Sequence, residues 1–496
     1  MAEGDIDHSC RTGECAERMV RQHACGPVRF GAPRAPFASA ARAARPWLPL
    51  PRHRRDVTSP PAPGIAPSKG QLTYTLAVLF ALNFINFYDR QVVGAVGERI
   101  KQEWQLSDSQ LGGLTTAFVL IYALVGIPFG RLADTQQRRL LLSGGVAVWS
   151  ACTALSGAAG SYALHFLARM GVGVGEASLA PTANALIAEL FPARFRSRAI
   201  SVFMLGLPLG LGASYLVSGL VAKATGGWRP ALYVAAAPGV VLAILALFIV
   251  EPARRAGASP DGAPTMRAVD SIAAILRIRA MWWIIASGAL MNLVMYALGA
   301  FSTSFYIRYH GLDIDMANRF NALVFGLGGG LGMLVGGLLG DRAGRRGAAG
   351  RLRLASIGAL LAGPLFWLAL EQPRGNAWGF ALLAFTGTIA IYLYYSTVYA
   401  AIHDLVPAGI RGMAMSVYFF VFYIFTALGL VFFGKLSDTM AARALATGVT
   451  AAESRALGLH DALYVMPLFC AVLVVVLQFA MRAAARDPVA RQRSAT

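Results

Sequence analysis

Charged side chains are scarce in this chain: they make up 14% of 496 residues, while apolar types make up 56%. A soluble globular protein carries roughly a quarter charged residues. Too little polar surface is present to cover the several water-soluble domains that the length alone would suggest. The same scarcity excludes disordered, collagenous and coiled-coil classes. Cysteine is also scarce. Cys10, Cys15, Cys25, Cys152 and Cys470 form an odd, scattered set that gives no disulfide framework. His8, Cys10, Cys15, His23 and Cys25 fit no standard ligand spacing, so no metal or cofactor is expected. Negative charge is the minority sign, 25 acidic against 44 basic residues, for a net charge of +19. Such a balance resembles a nucleic-acid footprint, but a nucleic-acid binder would not be this apolar, and no nucleic-acid partner is expected.

What the chain does have is long runs without charge. A helix crossing a bilayer needs about 20 mostly apolar residues. Residues 70–88, 109–130, 140–168, 199–222, 230–250, 280–307, 320–340, 354–370, 375–403, 412–434 and 462–481 contain no Asp, Glu, Lys or Arg. A twelfth span, 162–191, carries Arg169 and Glu176 in its middle. The runs are too long and too uniformly apolar for barrel strands, and helices satisfy their own backbone in lipid. The predicted fold is therefore an all-α membrane protein with twelve transmembrane helices. Residues 1–70, rich in Arg, Ala and Pro, read as a disordered cytoplasmic extension. Residues 71–251 form one six-helix half, 252–279 a cytoplasmic linker, 280–483 the second half and 484–496 a cytoplasmic tail. With both termini inside, 32 of the 44 basic residues fall on the cytoplasmic side. That asymmetry follows the positive-inside rule and predicts a multi-pass protein of the plasma (inner) membrane. The excess positive charge thus reads as orientation.

The halves repeat. Gly130-Arg-Leu-Ala-Asp134, followed by Arg138 and Arg139, returns as Gly337-Leu-Leu-Gly-Asp341-Arg342-Ala-Gly344-Arg345-Arg346. Glu189-Leu-Phe-Pro192 with Arg196 returns as Asp404-Leu-Val-Pro407 with Arg411. Matched elements in the same order argue for duplication of a six-helix unit. A carboxylate at a helix end beside arginines in a tight loop is suited to latching neighbouring helices in one state. The G-x-x-x-D-R-x-G-R-R loop resembles the signature between helices 2 and 3, and 8 and 9, of the major facilitator superfamily. The second copy matches in full. The first has Thr135 and Gln137 where the signature has a basic residue and a glycine.

Apart from Glu189 at the edge of the 162–191 span, only Asp89, Arg90, Arg169 and Glu176 are charged within the predicted spans. Such residues are expensive in the bilayer and usually face a cavity and pair. Asp89 and Arg90 fall toward the end of the first predicted helix. Arg169 and Glu176 lie two turns apart, on one face of the fourth. A carboxylate beside Arg can hold or release a proton as a cavity alternates between wet and dry. Tyr88-Asp89-Arg90, the run Leu167-Ala-Arg169 through Gly171, Gly173, Gly175 and Glu176, Gly126-Ile-Pro128 and Gly206-Leu-Pro208-Leu-Gly210 resemble bacterial members of the spinster family. The resemblance covers residues 72–483. It implies coupling and cargo contact at Asp89, Arg169 and Glu176, with Arg90 as neighbour, and a lysolipid-like or sphingolipid-like amphiphile as substrate. The anion:cation symporters have a similar pattern and take sugar acids and other small organic anions, so that alternative stays open.

The glycines of the fourth helix and the run from Gly326 to Gly332 read as close helix contacts. They are not phosphate loops, since no Gly-Lys-Ser/Thr follows. The second half has no mid-span charge but offers Asn292, Tyr296, Tyr392 and Tyr395; with Asn83 and Asn86 these are the candidate cavity residues. A charged half opposite an aromatic half suits an amphiphile. No nucleophile–base set is evident, and His165, His310, His403 and His460 are scattered, so an enzyme is not expected. The predicted function is proton-coupled secondary transport by alternating access, with membrane lipids, a small amphiphile and protons as partners and a monomer as the working unit.

Overall fold

The computed structural model describes residues 67–191, 193–251, 268–407 and 410–486. Most of the predicted N-terminal extension, with its His and Cys residues, lies outside these residues. So do residues 252–267 of the linker and 487–496 of the tail.

The described chain is helical throughout its length: α1 (Lys69–Trp104), α2 (Asp108–Thr135), α3 (Arg138–Ala158), α4 (Tyr162–Glu176), α5 (Leu179–Leu190), α6 (Ala193–Thr225), α7 (Arg229–Leu247), α8 (Ala268–Arg277), α9 (Arg279–Arg308), α10 (Ile314–Asn321), a π-helical turn (Ala322–Gly328), α11 (Gly329–Gly344), α12 (Gly347–Leu370), α13 (Ala377–Leu405), α14 (Arg411–Ala446), α15 (Ala451–Leu463) and α16 (Val465–Arg486). Eleven of the helical segments are long and apolar enough to cross a membrane on their own. The fourth crossing is made by α4 and α5 together, which completes the twelve spans and their two six-helix halves.

Side chains that satisfy the first turn fix several helix starts. Ser68 and Ser107 form reciprocal capping boxes with Gln71 and Gln110. Ser161, Asp313, Asn376 and Thr450 cap α4, α10, α13 and α15. Gln137 gives α3 no side-chain cap; instead Glu251 accepts from the amides of Arg138 and Arg139 at 3.2 and 3.1 Å.

The structure departs from the charge-free windows in several places. α1 does not stop near Asp89 but runs fifteen residues further, through Glu98, Arg99 and Lys101, to Trp104. These charges end the window, not the helix, because Glu98 and Lys101 are buried against partners on α2 and α9. The fourth span breaks at Ala177-Ser178. Pro181 has no amide proton for the Ala177 carbonyl, and Ser178 turns its hydroxyl back to Gly175 O at 2.8 Å. Residues 268–277, predicted as polar linker, form α8, which buries Ile275 and packs on α14. The last helix extends past residue 483 to Arg486.

Within the first half, α4 is clamped between α2 and α3. A Cβ on Gly173 would come 2.7 Å from Phe118 O of α2, and one on Gly175 would come 2.5 Å from Gly145 O of α3. Glycine at both positions lets α4 sit close to two neighbours at once and holds its last residue, Glu176, at the centre of the half. The halves meet through α2 on α14, α1 on α9, and α6 on α10 and the π-helical turn.

Polar contacts between the halves gather at the end away from the start of α1 and the end of α16. Arg308 of α9 meets Glu98 of α1 at 2.6 Å and Asp108 of α2 at 2.9 Å, with all three side chains at most 7% exposed. Asp108 also accepts from Lys101, and from Ser437 of α14 at 2.7 Å. Asp438 of α14 caps α2, accepting from the amides of Asp108 and Ser109 at 2.9 and 3.0 Å. Two aspartates and an arginine thus tie four helices from both halves across one end.

Candidate functional site: crossed ion pairs between α1 and α4

Asp89 and Arg90 are adjacent on α1, so their side chains leave the helix about 100° apart and reach different depths of α4. Arg169 Nη1 lies 3.3 Å from Asp89 Oδ1, and Arg90 Nε lies 2.8 Å from Glu176 Oε2. All four side chains are at most 6% exposed. The spacing that puts Arg169 and Glu176 on one face of α4 therefore serves two partners, and the charges cancel pair by pair. Asp89 is fully buried, not partly solvated as a place near a helix end would imply.

Two neighbours complete the site that no motif announced. Thr153 of α3 donates its hydroxyl to Asp89 Oδ2. Arg90 Nη1 donates to the Tyr423 hydroxyl of α14 at 3.3 Å, and Tyr296 of α9 also contacts Arg90, so the site touches the second half through two tyrosines. The Arg90 guanidinium also lies over Tyr122 at 4.4 Å, Phe87 at 4.9 Å and Phe118 at 5.2 Å. These faces stabilise the cation and fix its plane. The structure leaves Glu176 Oε1 and Arg169 Nε buried without a hydrogen-bond partner. One acceptor and one donor are thus open, although buried polar groups are normally paired.

The candidate cavity residues divide. Asn83 donates to Phe203 O of α6 at 2.7 Å, and Asn292 donates to Thr426 of α14, so both are engaged in helix contacts. Asn86 is buried with its Nδ2 free of partners. Tyr296 lies edge-on to Tyr423 at 6.3 Å. Tyr392 and Tyr395 begin a line of rings, Tyr392–Tyr395–Tyr399–Phe419–Tyr423–Tyr122, with centroids 5.0–6.2 Å apart, that leads to Arg90. Small and apolar neighbours give no sequence signal for Tyr122 or Thr153; only the packing of α2 and α3 on α4 identifies them.

The loop motif resolves into ion pairs within each half. Arg138 makes a two-point contact with Glu189 at 2.6 and 2.7 Å and donates to Ala133 O. In the second half Arg351 pairs with Asp404 at 2.9 Å and donates to Gly340 O. In the first half the two repeated elements of the sequence are thus partners; in the second, an arginine just past the loop takes that place. Arg351 is not among the expected latch residues; it passes over Gly344, where a Cβ would come 2.5 Å from its guanidinium. Arg139, Asp341, Arg342, Arg345 and Arg346 are exposed, and Gly130 and Gly337 face open space. Asp134 belongs to α2, but its side chain lies outside the described residues.

A twelve-span bundle of two like halves, with a neutral cluster of four charges at its centre and no metal-ligand cluster among the described residues, defines a membrane transporter. The family model for the Major Facilitator Superfamily matches residues 79–430, and the chain belongs to that superfamily. An MFS-type efflux pump of Mycolicibacterium smegmatis is 31% identical over 372 residues, covering 74% of this chain and 84% of its own length. Spinster homolog 1 of Mus musculus is 30% identical over 351 residues, covering 67% of this chain and 66% of its own length. A bacterial homolog of the human lysosomal transporter spinster, in an inward-facing and unoccupied conformation, superposes with a TM-score of 0.74 at 25% identity, covering 84% of this chain and 98% of that one. Within the superfamily, this is a transporter of the spinster family.

Proposed function

We propose that this transporter moves a lipid-like amphiphile, of lysolipid or sphingolipid type, by proton-coupled alternating access, with Glu176 and Asp89 as proton carriers. The observation that carries the reading is the crossed pair of buried ion pairs with Glu176 Oε1 left open. Burying a charge is expensive unless it is used or neutralised, and a carboxylate held by one arginine is neutralised by a proton once its surroundings dry out. The line of rings from Tyr392 to Tyr122 supports an apolar tail, and the charged cluster a polar head. With the termini cytoplasmic in the inner membrane, as the distribution of basic residues favours, the tied end faces outward. The described state then corresponds to the inward-facing one. The halves rock about the central site in a single chain.

A second reading, import of a small organic anion such as a sugar acid, is favoured by the unpartnered Arg169 Nε, a buried donor suited to a carboxylate. The two separate in proteoliposomes under an imposed pH gradient. Radiolabelled lysolipid accumulating against its gradient, with sugar acids left at equilibrium, is the expected result. Accumulation of sugar acids alone would move the assignment to the second reading.

A further inference from the structure

Arg90 has five N–H groups in a planar fork, and an arginine facing a carboxylate ordinarily engages both of its oxygens. Here it does not. Nε holds Glu176 Oε2 at 2.8 Å, Nη1 is drawn to the Tyr423 hydroxyl at 3.3 Å, and Glu176 Oε1 has no partner. The guanidinium plane is set by the rings of Tyr122, Phe87 and Phe118, and Tyr423 packs edge-on against Tyr122 at 5.0 Å. A hydroxyl from the opposite half therefore takes one arm of the fork that could otherwise meet Glu176 Oε1, beside Tyr296 of α9, which also contacts Arg90.

We propose that Tyr423 is a positioning residue that holds Arg90 in a one-point contact with Glu176 and so keeps Oε1 open to a proton. This rests on the reading of Glu176 as a proton carrier. The arrangement links the site to rocking of the halves. Tyr423 belongs to α14, so when the second half turns relative to the first, the tether on Arg90 is released. The guanidinium can then turn until two parallel N–H groups meet both oxygens of Glu176, which favours the ionised carboxylate and expels the proton. Proton release is thereby tied to the movement of α14.

The titratable and charged groups around Glu176 are Asp89 and Arg90 on α1, Tyr122 on α2, Cys152 on α3, Arg169 on its own helix, Tyr296 on α9 and Tyr423 on α14. Removing the Tyr423 hydroxyl alters the hydrogen bonding of Arg90 alone among them, while the ring of Tyr423→Phe keeps its contact with Tyr122.

The test is an infrared pH titration of the whole protein in liposomes, following the carbonyl stretch of protonated carboxylic acids. The band that disappears in Glu176→Gln belongs to Glu176. In Tyr423→Phe its midpoint is expected to move toward acid by about one to two pH units, the effect of one added charge-assisted hydrogen bond to the carboxylate. A midpoint that stays put, or moves toward alkali, overturns the role of Tyr423 and leaves the proton-carrier reading standing. If Glu176→Gln removes no band, Glu176 takes up no proton, and the reading on which this inference rests fails with it.

Discussion

Arg169→Ala is expected to destabilise the protein by about 3–5 kcal/mol, the usual effect of removing one partner from a buried ion pair. Asp89, whose side chain is 1% exposed, would keep the Thr153 hydroxyl as its hydrogen-bond donor but lose its ion-pair partner. Water cannot replace the guanidinium easily, because Phe118 covers that side, 5.3 Å from Arg169 Cζ. The loss comes mainly from the orphaned carboxylate, not from the attraction itself, since a buried pair returns little net stability beyond the desolvation of its members. The double variant Asp89→Asn with Arg169→Gln should therefore unfold at a higher temperature than Arg169→Ala, although it has lost both charges. Thermal unfolding of the purified variants checks the order. If the double variant is the less stable, the pair contributes attraction that exceeds its desolvation, and the cluster is a structural clamp. If the cluster serves transport, the double variant folds and fails to move substrate against a gradient.

Arg308→Ala should release the opposite end of the molecule. Arg308 alone carries ion pairs to both Glu98 and Asp108, and it comes from the half opposite to both. Removing it leaves two buried carboxylates with Lys101 as the one cation bonded to Asp108 among the described residues, beside the Ser437 hydroxyl. The penalty falls on the tied state, because once the halves separate at this end both carboxylates reach water. At about 1.4 kcal/mol per decade and about 3–5 kcal/mol for a broken buried pair, the equilibrium shifts by about two to four orders of magnitude toward the state open at that end. Spin labels on Gln105 and Thr447, exposed positions at that end in the two halves, report it. The inter-label distances should lengthen in Arg308→Ala, and an unchanged distribution would show that apolar packing of α2 on α14 closes this end without the ion pairs.

How far these features are legible in the sequence depends on whether they are local. The helical bundle and its duplication are legible because a bilayer imposes its thickness on the composition of each span. The axial position of Asp89 is not: a charge-free window ends at the first charge, whereas α1 continues as long as its charges find partners, and Arg308 is 210 residues from Glu98. The choice of partners is also hidden. Heptad spacing places Arg169 and Glu176 on one face, but which of them meets Asp89 depends on the rotation of α1 against α4. The motif points to Arg345 and Arg346 in the loop and passes over Arg351, because the ion pair forms one turn into α12. In the sequence Tyr423 is one tyrosine among many; the packing of α14 puts its hydroxyl beside Arg90.

The proposed carriage of protons by Glu176 is most directly tested with a pH-sensitive dye trapped inside proteoliposomes while labelled lysolipid is supplied outside. Wild type should change the internal pH as substrate crosses, and the change should scale with the amount carried. Glu176→Gln should exchange labelled for unlabelled lysolipid at equilibrium yet leave the internal pH unchanged and build no gradient. Glu176→Gln moving protons with substrate as wild type does would contradict proton carriage by Glu176.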